Sequence, residues 1–152
     1  MHLREITGQG DGSKMRIGIA VSTFNETITG GLLAGAVGAL ESAGVEECTV
    51  VRVPGALELG PALLKLVESG HDAAIAIGAV IEGETDHYEH VATQASGAIT
   101  QISLSTGVPI ANAVLTVREL SHARERSLPG PGNKGAEAAR ASVAMVHALR
   151  EI

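Results

Sequence analysis

Three groups of residues in this chain carry side chains capable of chemistry. The first is GAVIEGETDHYEHV, Gly78 to Val91, where Glu84, Thr85, Asp86 and His87 follow directly on an apolar run, AAIAIGAVI, that stops at Glu82-Gly83. The free N–H groups of a helix start favour a phosphate or similar anion. An imidazole in the same turn, titrating near neutrality, suits proton transfer. A lone His in a helical turn is more often a plain surface residue; the neighbouring Glu84 and Thr85 are what raise His87 above that. His87 and His90, with Asp86 or Glu89, have chelate spacing, but no second His or Cys pair completes a zinc set. The second group is Arg124 and Arg126, near Glu119 and Glu125: an ion-paired solvated face, or an arginine fork for phosphate. The third is Asn133-Lys134-Gly135 after PGPG, a helix start whose Lys points at a ligand, or only a loop. Phe24 and Tyr88 are the only aromatic residues. Phe24, just past a strand, reads equally as a stacking platform for a planar heterocycle and as a core plug. His2, His71, His122 and His147 read as exposed positions.

Those groups need elements to hold them. Met15 to Ser22 is an apolar strand. Asn25 or Thr27 caps a helix to about Ala43, with Leu32, Leu33, Ala36, Val37 and Leu40 on one stripe. A strand Cys48 to Val53 ends at Pro54-Gly55, and a helix covers Leu57 to Ser69, regular from near Gly60 because proline is tolerated in a first turn. Asp72 to Ile81 is a strand apolar on both faces, as in a buried parallel sheet. A helix from Thr85 to about Ser105 turns Val91, Ala95, Ala98, Ile99 and Ile102 inward. Val108 to Leu115 is the fourth strand, and Thr116 caps a helix through about Arg126. SLPGPGN breaks it, and a last helix runs from Lys134 to about Leu149. Strand and helix alternate, which predicts a parallel sheet with helices on both faces. Four strand ends then meet at one edge, where open α/β sheets bind ligands. They bring Phe24-Asn25, Pro54 to Glu58, Gly83 to His87, and Asn112 to Thr116.

Composition sets the outer limits. The 152 residues suit one domain, residues 15–152, preceded by an arm, residues 1–14, that either pairs with a neighbouring subunit's sheet edge or stays disordered. A net charge of -6 argues against non-specific nucleic-acid binding. The nine-residue apolar run is too short to span a bilayer, so no membrane partner is expected. The lone Cys48 makes no internal disulfide, and the N-terminus lacks a signal-peptide core; both point to the cytoplasm.

Taken in order, these pieces resemble the lumazine synthase family of riboflavin biosynthesis. The resemblance runs from about Met15 to Leu149. It is carried by Phe24-Asn25, VPGALEL at Val53 to Leu59, GAVIEGETDHYEHV, AVLT at Ala113 to Thr116, Arg126, and NKGAEAA at Asn133 to Ala139. It implies a flavodoxin-like three-layer fold with a four-stranded parallel sheet. It implies condensation of 5-amino-6-ribitylaminouracil with 3,4-dihydroxy-2-butanone 4-phosphate to 6,7-dimethyl-8-ribityllumazine, phosphate and water, with no metal or redox cofactor. Its sites lie between subunits of a homopentamer, twelve pentamers in some members forming an icosahedral shell, and riboflavin synthase is a candidate partner. Carried over, Phe24, with Asn25 beside it, stacks on the pyrimidine. Ala56, Leu57 and Glu58 line the ribityl pocket. Ala79, Val80 and Ile81 offer backbone groups to the uracil. Glu84 and Thr85 hold the phosphate, and His87 is the catalytic proton-transfer residue. Arg126, Asn112 and Lys134 come from the neighbouring subunit.

The chain departs from the family pattern at four points. Leu57 and Asn112 stand where aromatics are usual, Glu82 where a basic residue is common, and Gly130 where some members have a Lys. They reduce stacking and positive potential at the site. Two alternatives follow: a catalytically weakened shell or scaffold paralogue, and, with less support, an FMN-binding flavodoxin-like protein. The latter lacks a good Ser/Thr-rich phosphate loop after the first strand.

Overall fold

A computed structural model describes residues 1–152. The elements are β1 (Arg16–Ser22), α1 (Glu26–Ser42), β2 (Glu47–Val53), a 3-10 turn (Ala56–Glu58), α2 (Leu59–Glu68), β3 (Ala73–Ile81), α3 (His87–Thr106), β4 (Ile110–Val117), α4 (Leu120–Ser127) and α5 (Lys134–Glu151). The four strands form one all-parallel sheet in the order β2-β1-β3-β4. This is the three-layer flavodoxin-like arrangement. β3 is apolar throughout because it is central. Ala73, Ile75, Ile77 and Ala79 enter the cluster under α1, α4 and α5, while Ala74, Ala76 and Val80 enter the cluster under α2 and α3. The chain leaves β1 for the first face and β3 for the second. The crevice between these adjacent strand ends is therefore the topological switch point, the usual ligand position in such sheets.

Several local expectations shift. α3 begins at His87, two residues later than the sequence suggests; Asp86 takes the N-cap position, and Thr85 Oγ1 accepts the His87 N–H at 3.4 Å. Thr116 does not cap a helix. β3 is long enough to keep β4 paired through Ile81↔Val117, so Thr116 stays in the strand opposite Val80 and Glu119 precedes α4. Asn25 precedes α1 in the left-handed region (φ 58°) with no side-chain cap. Its backbone carbonyl accepts from the N–H groups of Ile28 and Thr29, and Thr27 lies inside the helix.

His71 is buried, not exposed. Its Nδ1 donates to the Leu66 carbonyl at 2.8 Å, and its Nε2 lies 3.0 Å from Thr49 Oγ1. The ring thus ties the end of α2 to β2. His147 is also engaged: Nε2 donates to the Asp11 carbonyl at 2.6 Å. The arm, expected to pair with a neighbouring subunit or stay disordered, lies on α5, where Arg4 donates to the Glu151 carbonyl at 2.6 Å and Gly8 is buried. It forms no strand within this chain. No helix is long and apolar enough to cross a membrane.

Candidate active site

At the switch point a cavity of about 490 Å³ opens over the C-terminal ends of β1, β2 and β3. Each strand end supplies a different kind of surface. Beyond β1, Phe24 stands 67% exposed at the rim, so it is not a core plug. Beyond β2, Pro54 and Gly55 turn the chain into the 3-10 helix, which places Ala56, Leu57 and Glu58 on the wall. At the end of β3, Ala79, Val80 and Ile81 form the floor, and Gly83, Thr85 and His87 close the far side. Sequence reasoning had not singled out Tyr88 or Val91 as lining residues. Val91 was legible, being four residues after His87 and hence on the same helical face. Asn25 and Glu84 belong to these loops but do not line the cavity.

The β3–α3 connection has the features of an anion cradle. The Glu82 N–H is taken by the Val117 carbonyl, but the amides of Gly83, Glu84, Thr85 and Asp86 find no backbone acceptor. They lie just before the positive end of a twenty-residue helix. The side-chain charges nearby have the opposite tendency. Glu58 lines the cavity, and neither Lys nor Arg does. Arg118, just past β4, is directed at Glu82, with Nε 3.8 Å from Oε2. A doubly charged ester here would meet amide dipoles and an imidazole, but no fixed cation.

The missing cations lie elsewhere on the same chain. Asn112, Arg126 and Lys134 line a separate cavity of about 290 Å³ along the open edge of β4, between it and α5, and no residue lines both cavities. Arg126 Nη1 donates to the His122 carbonyl at 3.0 Å, one turn back on its own helix. Lys134 Nζ donates to Glu137 Oε2 at 2.8 Å, and that ammonium holds the Glu137 carboxyl below the usual glutamate range. Asn112 Oδ1 accepts the Val114 N–H at 2.8 Å, pairing an amide on the sheet's edge strand. The expected site residues thus fall in two separate cavities, with Asn25 and Glu84 lining neither. Arg124, the other arginine singled out, is exposed and lines neither. No group of three His, Cys, Asp or Glu side chains is arranged to hold a metal ion.

Comparison with known proteins identifies the family. Residues 14–150 match the family model described as 6,7-dimethyl-8-ribityllumazine synthase. A protein of Kineococcus radiotolerans named 6,7-dimethyl-8-ribityllumazine synthase is 45% identical over 93% of this chain and 89% of its own length. A protein of Thermococcus gammatolerans with the same name is 39% identical over 100% of this chain and 99% of its own. A Thermococcus kodakarensis protein, again so named, is 38% identical over 100% of this chain and 97% of its own. With a family model covering nearly the whole chain and relatives aligned end to end, the protein belongs to the 6,7-dimethyl-8-ribityllumazine synthase family.

Proposed function

We propose that this chain is a lumazine synthase whose active site forms when the cavity of one protomer meets the Arg126–Lys134 flank of another. The observation that carries this is the division of labour just described: an anion cradle with a proton-transfer group but no cation, and two cations with no cradle. In the joined site the pyrimidine stacks on Phe24 beside Asn25, and Ala79, Val80 and Ile81 present backbone groups to its edge. The ribityl chain runs past Ala56 and Leu57, with Glu58 accepting from its hydroxyls. The phosphate of the butanone rests on the amides around Glu84 and on the Thr85 hydroxyl, neutralised by Arg126 and Lys134 of the second protomer, with Asn112 alongside. The substrate amine is itself the nucleophile, so the protein needs no activated one. Holding the two substrates together can contribute up to about 7–11 kcal/mol in well-aligned cases. His87 moves protons during imine formation, phosphate loss and ring closure.

This reading requires self-association; the family resemblance makes the expected assembly at least a pentamer, with a sixty-subunit shell as the larger closed form. Exposed Leu104, Met145 and Leu149 support such contacts. Riboflavin synthase is a candidate partner, as the enzyme acting on the product. A reducing cytoplasm suits the exposed free Cys48. The test is direct: mix purified protein with both substrates and follow lumazine fluorescence. Product formation that falls in His87→Ala while the assembly stays intact supports the reading. Absence of product above the uncatalysed rate would leave a scaffold paralogue, the reading favoured by Glu82 being paired with Arg118 and by Asn112 offering no ring to stack.

A further inference from the structure

Asn133 precedes α5 and is 2% exposed. Its Nδ2 lies 3.1 Å from each of three carbonyl oxygens: Gly31 in α1, and Ser127 and Leu128 at the end of α4. Its Oδ1 accepts the Ala136 N–H at 3.0 Å, capping α5. Its backbone N–H donates to the Gly130 carbonyl at 3.2 Å, and its own carbonyl accepts from Glu137 at 3.1 Å. One buried amide therefore joins α1, α4, the SLPGPG loop and α5. The surroundings are shaped for it. A Cβ at Gly35 would collide with the Asn133 amide, and one at Gly31 would come within 2.5 Å of the Ser127 oxygen.

The residues thus held flank the two cations. Arg126 immediately precedes Ser127, whose carbonyl the amide grips, and Lys134 immediately follows Asn133. Both cationic side chains are otherwise steered only by short-range partners on their own helices, the His122 carbonyl and Glu137. Their common aim is set by where their backbones start. Only an amide of this length meets the requirement. Aspartate keeps the cap but cannot donate to carbonyls; serine keeps the cap but is too short to reach across to α1.

We infer that Asn133 is a positioning residue for the phosphate end of the site: its buried amide fixes the backbones bearing Arg126 and Lys134 so that both face one opening. The inference rests on the proposed function, in which those cations neutralise the phosphate. It makes Asn133 a determinant of phosphate affinity with no contact to substrate.

The experiment compares Asn133→Ser, Asn133→Asp and Arg126→Gln, each assembled as the full protein, by KM for each substrate, kcat and thermal midpoint. Asn133→Ser is expected to raise KM for the butanone phosphate about tenfold and leave KM for the ribitylaminouracil within about twofold. Asn133→Asp keeps the side chain's shape and should do the same, which covers the case in which the serine variant assembles poorly. Combined with Arg126→Gln, Asn133→Ser should add a smaller loss than it causes alone, because only the part acting through Lys134 remains. A lowered thermal midpoint with an unchanged KM for the phosphate substrate would overturn the inference, as would full additivity with Arg126→Gln. If Arg126→Gln itself leaves that KM unchanged, the cation role in the proposed function fails and the inference fails with it. A defective Arg126→Gln beside unaffected Asn133 variants sinks the inference alone.

Discussion

Two defective variants of this protein should restore each other when mixed. His87→Ala disables the cavity half of the site, and Arg126→Gln disables the cation half. The structure puts these residues in different cavities on different flanks. Removing the guanidinium forfeits charge-assisted hydrogen bonds of about 1.5–3 kcal/mol, or about ten- to a hundredfold in KM for the butanone phosphate. Removing the imidazole is expected to lower turnover toward the small end of general acid–base effects, about a hundredfold, because the amine needs no activation. Consider now an equal mixture, dissociated and reassembled at random. A site is intact only where an Arg126→Gln protomer contributes the cavity and a His87→Ala protomer the cations. In a ring of heterologous contacts that is about one site in four. The assay is lumazine formation under saturating amine and subsaturating phosphate substrate, with native mass spectrometry verifying mixed assemblies. Recovery to about a quarter of wild-type activity is expected. Verified mixed assemblies no more active than the parents would refute the two-protomer site, since a site within one chain cannot be repaired by a second.

Other outcomes follow from single contacts. Glu137→Gln should release Lys134 and lower KM for the butanone phosphate severalfold at neutral pH. Because Lys134 depresses the Glu137 pKa, the carboxylate persists over most of the working range; the advantage of the variant should vanish only as pH falls through that lowered value, where Glu137 itself becomes neutral. A pH series of KM for both proteins checks this. Ser22→Ala should stabilise by about 1 kcal/mol, raising the urea midpoint at constant m, because Ser22 Oγ is buried with no hydrogen-bond partner. Gly135→Ala should destabilise by about 1–3 kcal/mol in the same assay although alanine is the better helix former, because its Cβ would fall on the Leu32 carbonyl of α1.

The sequence made the sheet legible because each strand advertised its place. β3, apolar on nine successive residues, has to be covered on both sides, whereas β2 alternates and lies at an edge. Periodicity also located the helices, but not their first residues. Helix α3 starts at His87 since the preceding loop folds as a cradle, and α4 starts late because pairing with β3 holds β4 to Val117. The lining of the cavity at the switch point was readable as residues that cluster at strand ends. The separate place of Arg126, Asn112 and Lys134 was readable only from the family resemblance: strand-end logic put Asn112 beside His87, whereas pairing with Ala76 sets it back in mid-strand. His71 and the N-terminal arm escaped for a different reason. Their burial depends on contacts between distant segments, Thr49 with His71 and Asp11 with His147, that leave no local periodicity.

The chain has one tyrosine, one phenylalanine and no tryptophan, and both rings border the same cavity. Its ultraviolet emission therefore originates from a single phenol at the site, free of indole background. Quenching or a spectral shift of Tyr88 on adding a pyrimidine would report occupancy of that cavity without any label, and a titration could be read in the unmodified protein.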